Sequence, residues 1–504
     1  MTGQKESYRR ILKTSSIIGG SSVINILIGL FRTKVLAVLL GATGIGLVSL
    51  YTGLMSTATT ITSMGVRTVG TRQIAEAIGK EDLEALAIVR RAMFWGVLIL
   101  ATTGALVVWS LREILAVEIL GGVEHSQVVA WLAVGVALSV ASASQGALIQ
   151  GMRRIGDIAK LSVYGSILNT VLGIGILWQW GSQAIWAFIL IGPLFSFLLG
   201  HLYVSRLPKS KAAHISTQDL LAQWKVFLHL GIPFMGAGLV QTLVQLWIRI
   251  SVSNELGLDA VGHFQAAWTI SMQYIGFVLG AMGADYYPRL TAVIHDKVAA
   301  SRLVNEQTEI ALLLSAPVFI AMIGLAPWVV QLLYSSDFSS AVDILRWQIL
   351  GDVLKVASWP MGFIILAAGA GKTFFCTETT ALLLMGGLTV VLLPEFGLQM
   401  TGIAFLACYV YLLPLVYFLA WRRIKFNWTS TVFCLFMVTL ALCVVVLQLS
   451  IHTKWGILAT IVLSASFACF TLFRLMMMSN LGGAAGKLAS IMVSLKMKVG
   501  IKND

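Results

Sequence analysis

Charge is scarce in this chain. Asp, Glu, Lys and Arg make up 11% of 504 residues, less than half the ~25% of an ordinary soluble protein. That excludes a water-soluble chain of two or three domains. Cysteine is scarce as well. The five residues Cys376, Cys408, Cys434, Cys443 and Cys469 are odd in number and lack paired metal-ligand spacing. A disulfide-stapled secreted domain is thereby excluded, and the thiols read as small apolar side chains. A complete phosphate-binding loop is missing too. Gly371-Lys372-Thr373 carries its end, but the position that needs the first glycine is Leu366, so no ATPase motor is expected. No histidine pair has metal spacing and no Gly-x-Ser-x-Gly elbow occurs. The longest expected outward loop, 111–126, leaves little room for a catalytic domain. The expectation is a protein that is not an enzyme and carries no cofactor or metal.

What is abundant is apolar length. Hydrophobic residues make up 58% of the chain, enough for about 14 spans of ~20 residues each. Continuous apolar runs, rather than short alternating segments, exclude an outer-membrane barrel. The runs place spans at 14–40, 46–68, 87–110, 127–149, 158–179, 184–204, 226–252, 260–283, 310–333, 344–367, 374–393, 398–420, 431–450 and 455–474. The basic patch of Lys5, Arg9, Arg10 and Lys13 precedes an uncleaved first span, not a signal peptide, because Arg32 and Lys34 interrupt the run and no cleavage site follows. The expected fold class is an all-α polytopic membrane protein of about 14 transmembrane helices.

Charge asymmetry orients the spans. With the N-terminus in the cytoplasm, the cytoplasmic segments collect most of the Lys and Arg, whereas the opposite side holds Arg112, Arg346 and Lys454. The net charge of +13 is therefore topological, and no nucleic-acid partner is expected. Both termini are expected in the cytoplasm, with Lys487, Lys496, Lys498 and Lys502 on an interfacial amphipathic tail.

Three landmarks recur along the chain. Leu40-Gly41-Ala42-Thr43-Gly44-Ile45-Gly46 matches Leu256-Gly257-Leu258-Asp259-Ala260-Val261-Gly262. Thr71-Arg72-Gln73-Ile74-Ala75 matches Pro288-Arg289-Leu290-Thr291-Ala292. Gly151-Met152-Arg153-Arg154 matches Gly369-Ala370-Gly371-Lys372. In equivalent loops and in order, they indicate a duplicated six-helix unit whose copies share one orientation, a transporter plan with the substrate site between halves. The expected organisation is a cytoplasmic N-terminus (1–13), an N-lobe (14–204), a cytoplasmic linker (205–225), a C-lobe (226–421), an appended pair of helices (422–475) and the tail (476–504). The two six-helix lobes are pseudo-symmetric.

A charge inside a span costs ~2.5–3.5 kcal/mol or more unless it faces a cavity or a partner. Stepping back from Arg32 by threes and fours gives Gly29, Asn25, Ser22 and Ser21, a polar stripe, so Arg32 is expected to face a cavity. Lys34 has apolar neighbours and is expected to snorkel. Arg249 extends the stripe Gln245, Thr242, Gln241 and Gly238. Span 2 aligns Ser49, Thr52, Ser56, Thr59, Ser63 and Arg67. Span 10 aligns Gln348, Asp352, Lys355 and Trp359, with Asp352 spaced to pair with Lys355. Such faces can line a wet, positively charged cavity. Each cation could instead sit near a helix end and only snorkel. Glu378, near the start of span 11, is a candidate to titrate during a cycle. Pro193, Pro233, Pro317, Pro327, Pro360 and Pro414 lie within spans, where they kink helices.

Over Leu36–Ala75, the pattern Leu-Ala-x-Leu-Leu-Gly-x-x-Gly-x-Gly-Leu, followed by Ser-Met-Gly-Val and Arg-Gln-Ile-Ala-Glu, resembles the opening of Wzx-type oligosaccharide-lipid flippases. These belong to the multidrug/oligosaccharidyl-lipid/polysaccharide (MOP) exporter superfamily. The resemblance implies alternating access in the bacterial inner (cytoplasmic) membrane, carrying undecaprenyl-pyrophosphate-linked oligosaccharide repeat units from the cytoplasmic to the periplasmic leaflet. It implies as partners that lipid-linked oligosaccharide, the phospholipid membrane, and a polysaccharide polymerase with its chain-length regulator. Arg32 carries over by motif position as a pyrophosphate contact. Arg249, by the repeat, and Lys355, Arg67, Asn25 and Gln245, by their stripes, complete the expected cavity, with Asp352 and Glu378 as gating or coupling residues. A dianionic pyrophosphate needs Arg or Lys, and Trp247, Trp268 and Trp359 offer faces for sugar. The appended helices resemble those of fourteen-span lipid II flippases and could serve as a lipid-tail groove. Alternatives are a MATE-like small-molecule exporter, for which acidic cavity residues would be expected, and a membrane-embedded polymerase or glycosyltransferase, for which a large outward loop would be.

Overall fold

The structure is a computed structural model that describes the backbone of residues 2–208, 216–452 and 455–479. Side chains are described from Gly19 onward, apart from residues 237, 277–278, 281–285, 451–452 and 478–479. The expected amphipathic helix beyond residue 479 and the central part of the inter-lobe linker lie outside the described residues.

Among the described residues the chain is helical, without strands. In order, the helices are α1 (Thr2–Ser63), α2 (Val66–Gly79), α3 (Leu83–Ser110), α4 (Arg112–Leu120), α5 (Ser126–Gly151), α6 (Ile155–Trp180), α7 (Ile185–Ser205), α8 (Thr217–Leu256), α9 (Leu258–Val293), α10 (Lys297–Gly324), α11 (Ala326–Leu333), α12 (Ala341–Ala367), α13 (Gly371–Phe396), α14 (Met400–Ile424), α15 (Ser430–His452) and α16 (Gly456–Ser479). Ten segments are long and apolar enough to cross a membrane. Three of these, Gly19–Ser63, Ile155–Ser205 and Gly371–Ile424, run 45, 51 and 54 residues. At 1.5 Å per residue each is more than twice the ~30 Å of a bilayer core. Each is broken at a glycine of positive φ, namely Gly41, Gly181 and Gly397, so each supplies more than one crossing.

The broken helices explain the repeated landmarks. Gly41 adopts φ 63°, ψ −169° and Gly257 adopts φ 88°, ψ 173°. This is a region open essentially to glycine alone, and it is reached at positions 216 residues apart. Helix α6 and its copy α13 start and end 216 residues apart, and each ends at a similar glycine turn: Gly181 with φ 60° and Gly397 with φ 62°. The third landmark needs a correction of two residues. Arg153 (φ 55°) and Gly369 (φ 73°) both donate their N–H to the carbonyl three residues back, and the next residues donate five back. Arg153 therefore corresponds to Gly369, and the repeat keeps its offset of 216. The sequence match paired the two glycines because it could not foresee an arginine in the positive-φ position. The same offset matches Arg249 to Thr33, one residue from Arg32, so the two arginines stand about 100° apart around their helices.

The chain folds as two compact units. The first contains the described residues up to Gly262 together with Leu333–Asp337, and the second contains His263–Leu332 and the described residues from Phe338 onward. In the first, α5 packs on α3, α7 and α2, and α1 packs on α6 and α8. Leu50, Ile74, Met93, Leu132, Ile149, Leu177 and Phe227 are its largest fully buried side chains. Helix α8 belongs to this unit because it packs on α1, α2 and α3. In the second, α12 packs on α14 and α10, while α15 and α16 pack on α10, over a core containing Phe264, Tyr286, Phe319, Phe338 and Phe426. The outward faces are apolar, with Phe31, Phe94, Val171 and Val391 all largely exposed, as suits surfaces solvated by hydrocarbon rather than water.

Repeat-equivalent positions meet inside the first unit. The Thr43 hydroxyl donates to the Asp259 carboxylate, 216 residues away. A methyl group on Gly46 would overlap the Leu258 carbonyl, and one on Gly262 would overlap the Ala42 carbonyl. The second arm of α1 and the start of α9 thus cross backbone to backbone, and two equivalent glycines permit the approach.

Candidate functional site

In the first unit, Arg249 on α8 donates from Nε to the Ser49 hydroxyl of α1 at 2.8 Å. Gly53, one turn beyond Ser49, leaves room for Leu246 and for the Arg249 guanidinium, 3.7 Å from where a Cβ would stand. Arg32 and Arg249 are both half-buried. Asn25 donates to Ser162 of α6 at 2.7 Å, and its Oδ1 has no hydrogen-bond partner. Gln245 is 7% exposed and both its amide atoms lack partners. Five of the expected cavity residues, Arg32, Asn25, Arg67, Gln245 and Arg249, therefore fall in this unit, on α1, α2 and α8. Arg67 stands apart, exposed beyond the left-handed break at Gly65 (φ 72°).

The hydroxyl stripe on the second arm of α1 is largely self-satisfied. Thr52, Ser56, Thr59 and Ser63 donate to carbonyls three or four residues back. Ser49 alone of the stripe's hydroxyls receives a cation from α8. Lys34 departs from the expected snorkelling and donates its ammonium to the Tyr334 carbonyl.

In the second unit, Asp352 of α12 is 1% exposed and accepts a 2.6 Å bond from the Ser271 hydroxyl of α9. The Asp352–Lys355 ion pair expected from their spacing is replaced by another arrangement. The Lys355 ammonium sits 5.7 Å from the ring centroids of Phe405 and Tyr409 and 3.4 Å from the Met272 sulfur, an aromatic and thioether seat suited to a cation. Asp352 and Glu378 remain within its electrostatic reach. Trp268 packs edge-on against Phe405 and Trp359 against Phe363 at 4.6 Å, so both are built into the aromatic packing. Trp247 is 42% exposed.

Three features escaped the sequence reading, all from side chains far apart in sequence. Arg474 of α16 grips Glu309 of α10 through two nitrogens at 3.1 and 3.0 Å. Asn305 of α10 donates to the Asn427 carbonyl and accepts from Thr429 N–H at 2.9 Å, fastening the start of α15. Beside these contacts an apolar groove of about 550 Å³ opens, lined by Leu313, Leu435, Leu463, Phe467 and Phe470, with Glu309 and Arg474 on its wall. Among the described residues no group of three His, Cys, Asp or Glu side chains could hold a metal.

Outside the spans, Lys80 sits 2.8 Å from Glu76 and holds its carboxyl below the ordinary value by hydrogen bond and charge. The Ser216 and Asp219 capping box starts α8, and the Ser216 bonds likewise lower the Asp219 carboxyl.

A multi-pass helical membrane protein with a duplicated helical unit and cations on intramembrane faces belongs to the class of MOP-superfamily transporters, and comparison of folds agrees. An inward-facing multidrug-resistance MATE transporter of the MOP superfamily superposes with a TM-score of 0.68 at 18% identity, covering 80% of this chain and 94% of that one. A lipid II flippase in an inward closed conformation superposes with a TM-score of 0.68 at 13% identity, covering 92% and 100%. The chain belongs to the polysaccharide biosynthesis protein family, whose model matches residues 35–343. It is 23% identical over 421 residues to the lipid III flippase of Escherichia coli (strain K12), covering 82% of this chain and 99% of that one. The resemblance read at Leu36–Ala75 is borne out at the level of family and superfamily.

Proposed function

We propose that this protein is a flippase that carries undecaprenyl-pyrophosphate-linked oligosaccharide repeat units from the cytoplasmic to the periplasmic leaflet of the bacterial inner membrane by alternating access. The observation that carries the reading is membership of the polysaccharide biosynthesis family joined to similarity along nearly the whole length of a lipid III flippase. Charge supports the cargo. Arg32 and Arg249 sit half-buried on intramembrane helices, where a guanidinium offers several donors to a pyrophosphate. A small cationic drug would require the opposite sign. Arg32, Arg249, Arg67, Asn25, Gln245 and Lys355 are the residues we assign to substrate, and Asp352 and Glu378 to coupling. The six-and-six division into lobes at 14–204 and 226–421, cytoplasmic termini and the absence of bond-making chemistry belong to the same proposal. So do a polymerase and a chain-length regulator as downstream partners.

The test is depletion of the protein in its native host with a leaflet-resolved assay of lipid-linked oligosaccharide. Accumulation in the inner leaflet is expected. Accumulation of unpolymerised units in the outer leaflet would assign the protein to polymerisation instead.

A further inference from the structure

The geometry points to a single-proton binding site inside the second unit, built from Gln348, Asp352 and Ser271 and reached through Lys355 and Glu378. The first observation is a row of buried polar atoms without partners. Gln348 and Asp352 lie one helical turn apart on the same face of α12, 0% and 1% exposed. Ser271 serves Asp352 Oδ2, but Asp352 Oδ1 and both amide atoms of Gln348 lack hydrogen-bond partners. Buried polar atoms left in this way are costly.

The second observation is a charge imbalance. Asp352 faces Ser271 and Tyr274 on α9, Lys355 on its own helix, and Tyr409 on α14. Glu378 on α13 and Cys408 on α14 complete the surroundings of Lys355. The acid of α10, Glu309, is engaged by Arg474. With both carboxyls and the ammonium ionised, the cluster carries one surplus negative charge in an apolar interior. An uncompensated buried charge of this kind is neutralised rather than retained.

A proton on Asp352 removes both difficulties. The ionised carboxylate can only accept, so Gln348 would meet it through Nε2. The protonated carboxyl can donate to Gln348 Oε1. A glutamine at this position serves both states, whereas a leucine serves neither. A metal cation is disfavoured, because Lys355 lies in reach and the pocket offers few oxygens. The route in is also present. Glu378 and Lys355 are half-buried, so the chain Glu378, Lys355, Asp352 steps from an accessible acid to an enclosed one. Proton uptake here would supply the drive of the transport cycle, and that consequence alone rests on the proposed function.

The experiment is infrared difference spectroscopy of the full-length protein in lipid nanodiscs across a pH series, without lipid-linked sugar. The expected result is one carbonyl band from a protonated carboxyl group that titrates and shifts in deuterium oxide. It should disappear in Asp352→Asn, persist in Glu378→Gln and change frequency in Gln348→Leu and Ser271→Ala. Sodium chloride at constant pH should leave its titration in place. Absence of the band, its survival in Asp352→Asn, its indifference to both Gln348→Leu and Ser271→Ala, or its abolition by sodium would overturn the proposal. Because no substrate is present, this result and the leaflet assay succeed or fail independently.

Discussion

Arg249 spends one of its donors on a neutral hydroxyl, Ser49, and a guanidinium has five N–H donors in a planar fork. Replacing Arg249 or Arg32 with alanine is expected to reduce transport about 10- to 100-fold, the range of a lost charge-assisted contact of ~1.5–3 kcal/mol. Lysine at either position should recover part of it, because charge returns without the fork. Arg67→Ala should matter much less, since that side chain is exposed. Leaflet-resolved transport with membrane insertion verified checks all three. The Glu309–Arg474 pair concerns stability instead. Glu309→Gln should lower thermal stability by about 1–3 kcal/mol, less than a fully enclosed pair would lose, because the Arg474 side chain keeps 34% of its exposure. A melting curve in detergent measures it. Residue types at these positions could be read from the chain, but their partners could not. Asp352 was expected to meet Lys355 three residues on, and instead bonds Ser271, 81 residues away, while aromatic rings hold the ammonium.

Helix breaks carry most of the architecture at the scale of elements. Gly41 sits in a backbone region nearly closed to other residues, with nothing within 4 Å of where a side chain would begin. The cost of Gly41→Ala is therefore conformational, about 1–3 kcal/mol, and Gly257→Ala should cost similarly. Gly175, in the helical part of α6 and also without neighbours within 4 Å, is the control: alanine there should be neutral or stabilising by up to about 1 kcal/mol. Thermal unfolding of the three variants separates strain from crowding. Apolar runs made the helices readable, and glycine spacing made the first landmark readable. The true register of the third did not show, because Arg153 takes a positive φ at an exposed helix end where composition predicts glycine.

For the whole molecule, the positive-inside distribution predicts which ends of the spans face the cytoplasm. With the native cysteines replaced, a cysteine at Gly122 should react with an impermeant maleimide from outside and one at Lys209 only after permeabilisation. The reverse pattern would invert the topology. The family and the long helices were open to inspection in the chain, but its division into compact units was less so. Helix α8 joins the first unit through contacts with α1, α2 and α3, and span-counting by hydropathy carries no record of such packing.

The bond between Thr43 and Asp259 bears on ancestry. Two identical protomers meeting at this place would have set like against like, either a pair of mutually repelling acids or a pair of hydroxyls. Only after both copies were joined in one gene could each side of the contact change by itself, and an acid facing an alcohol is a combination that no homodimer symmetric at that point could encode.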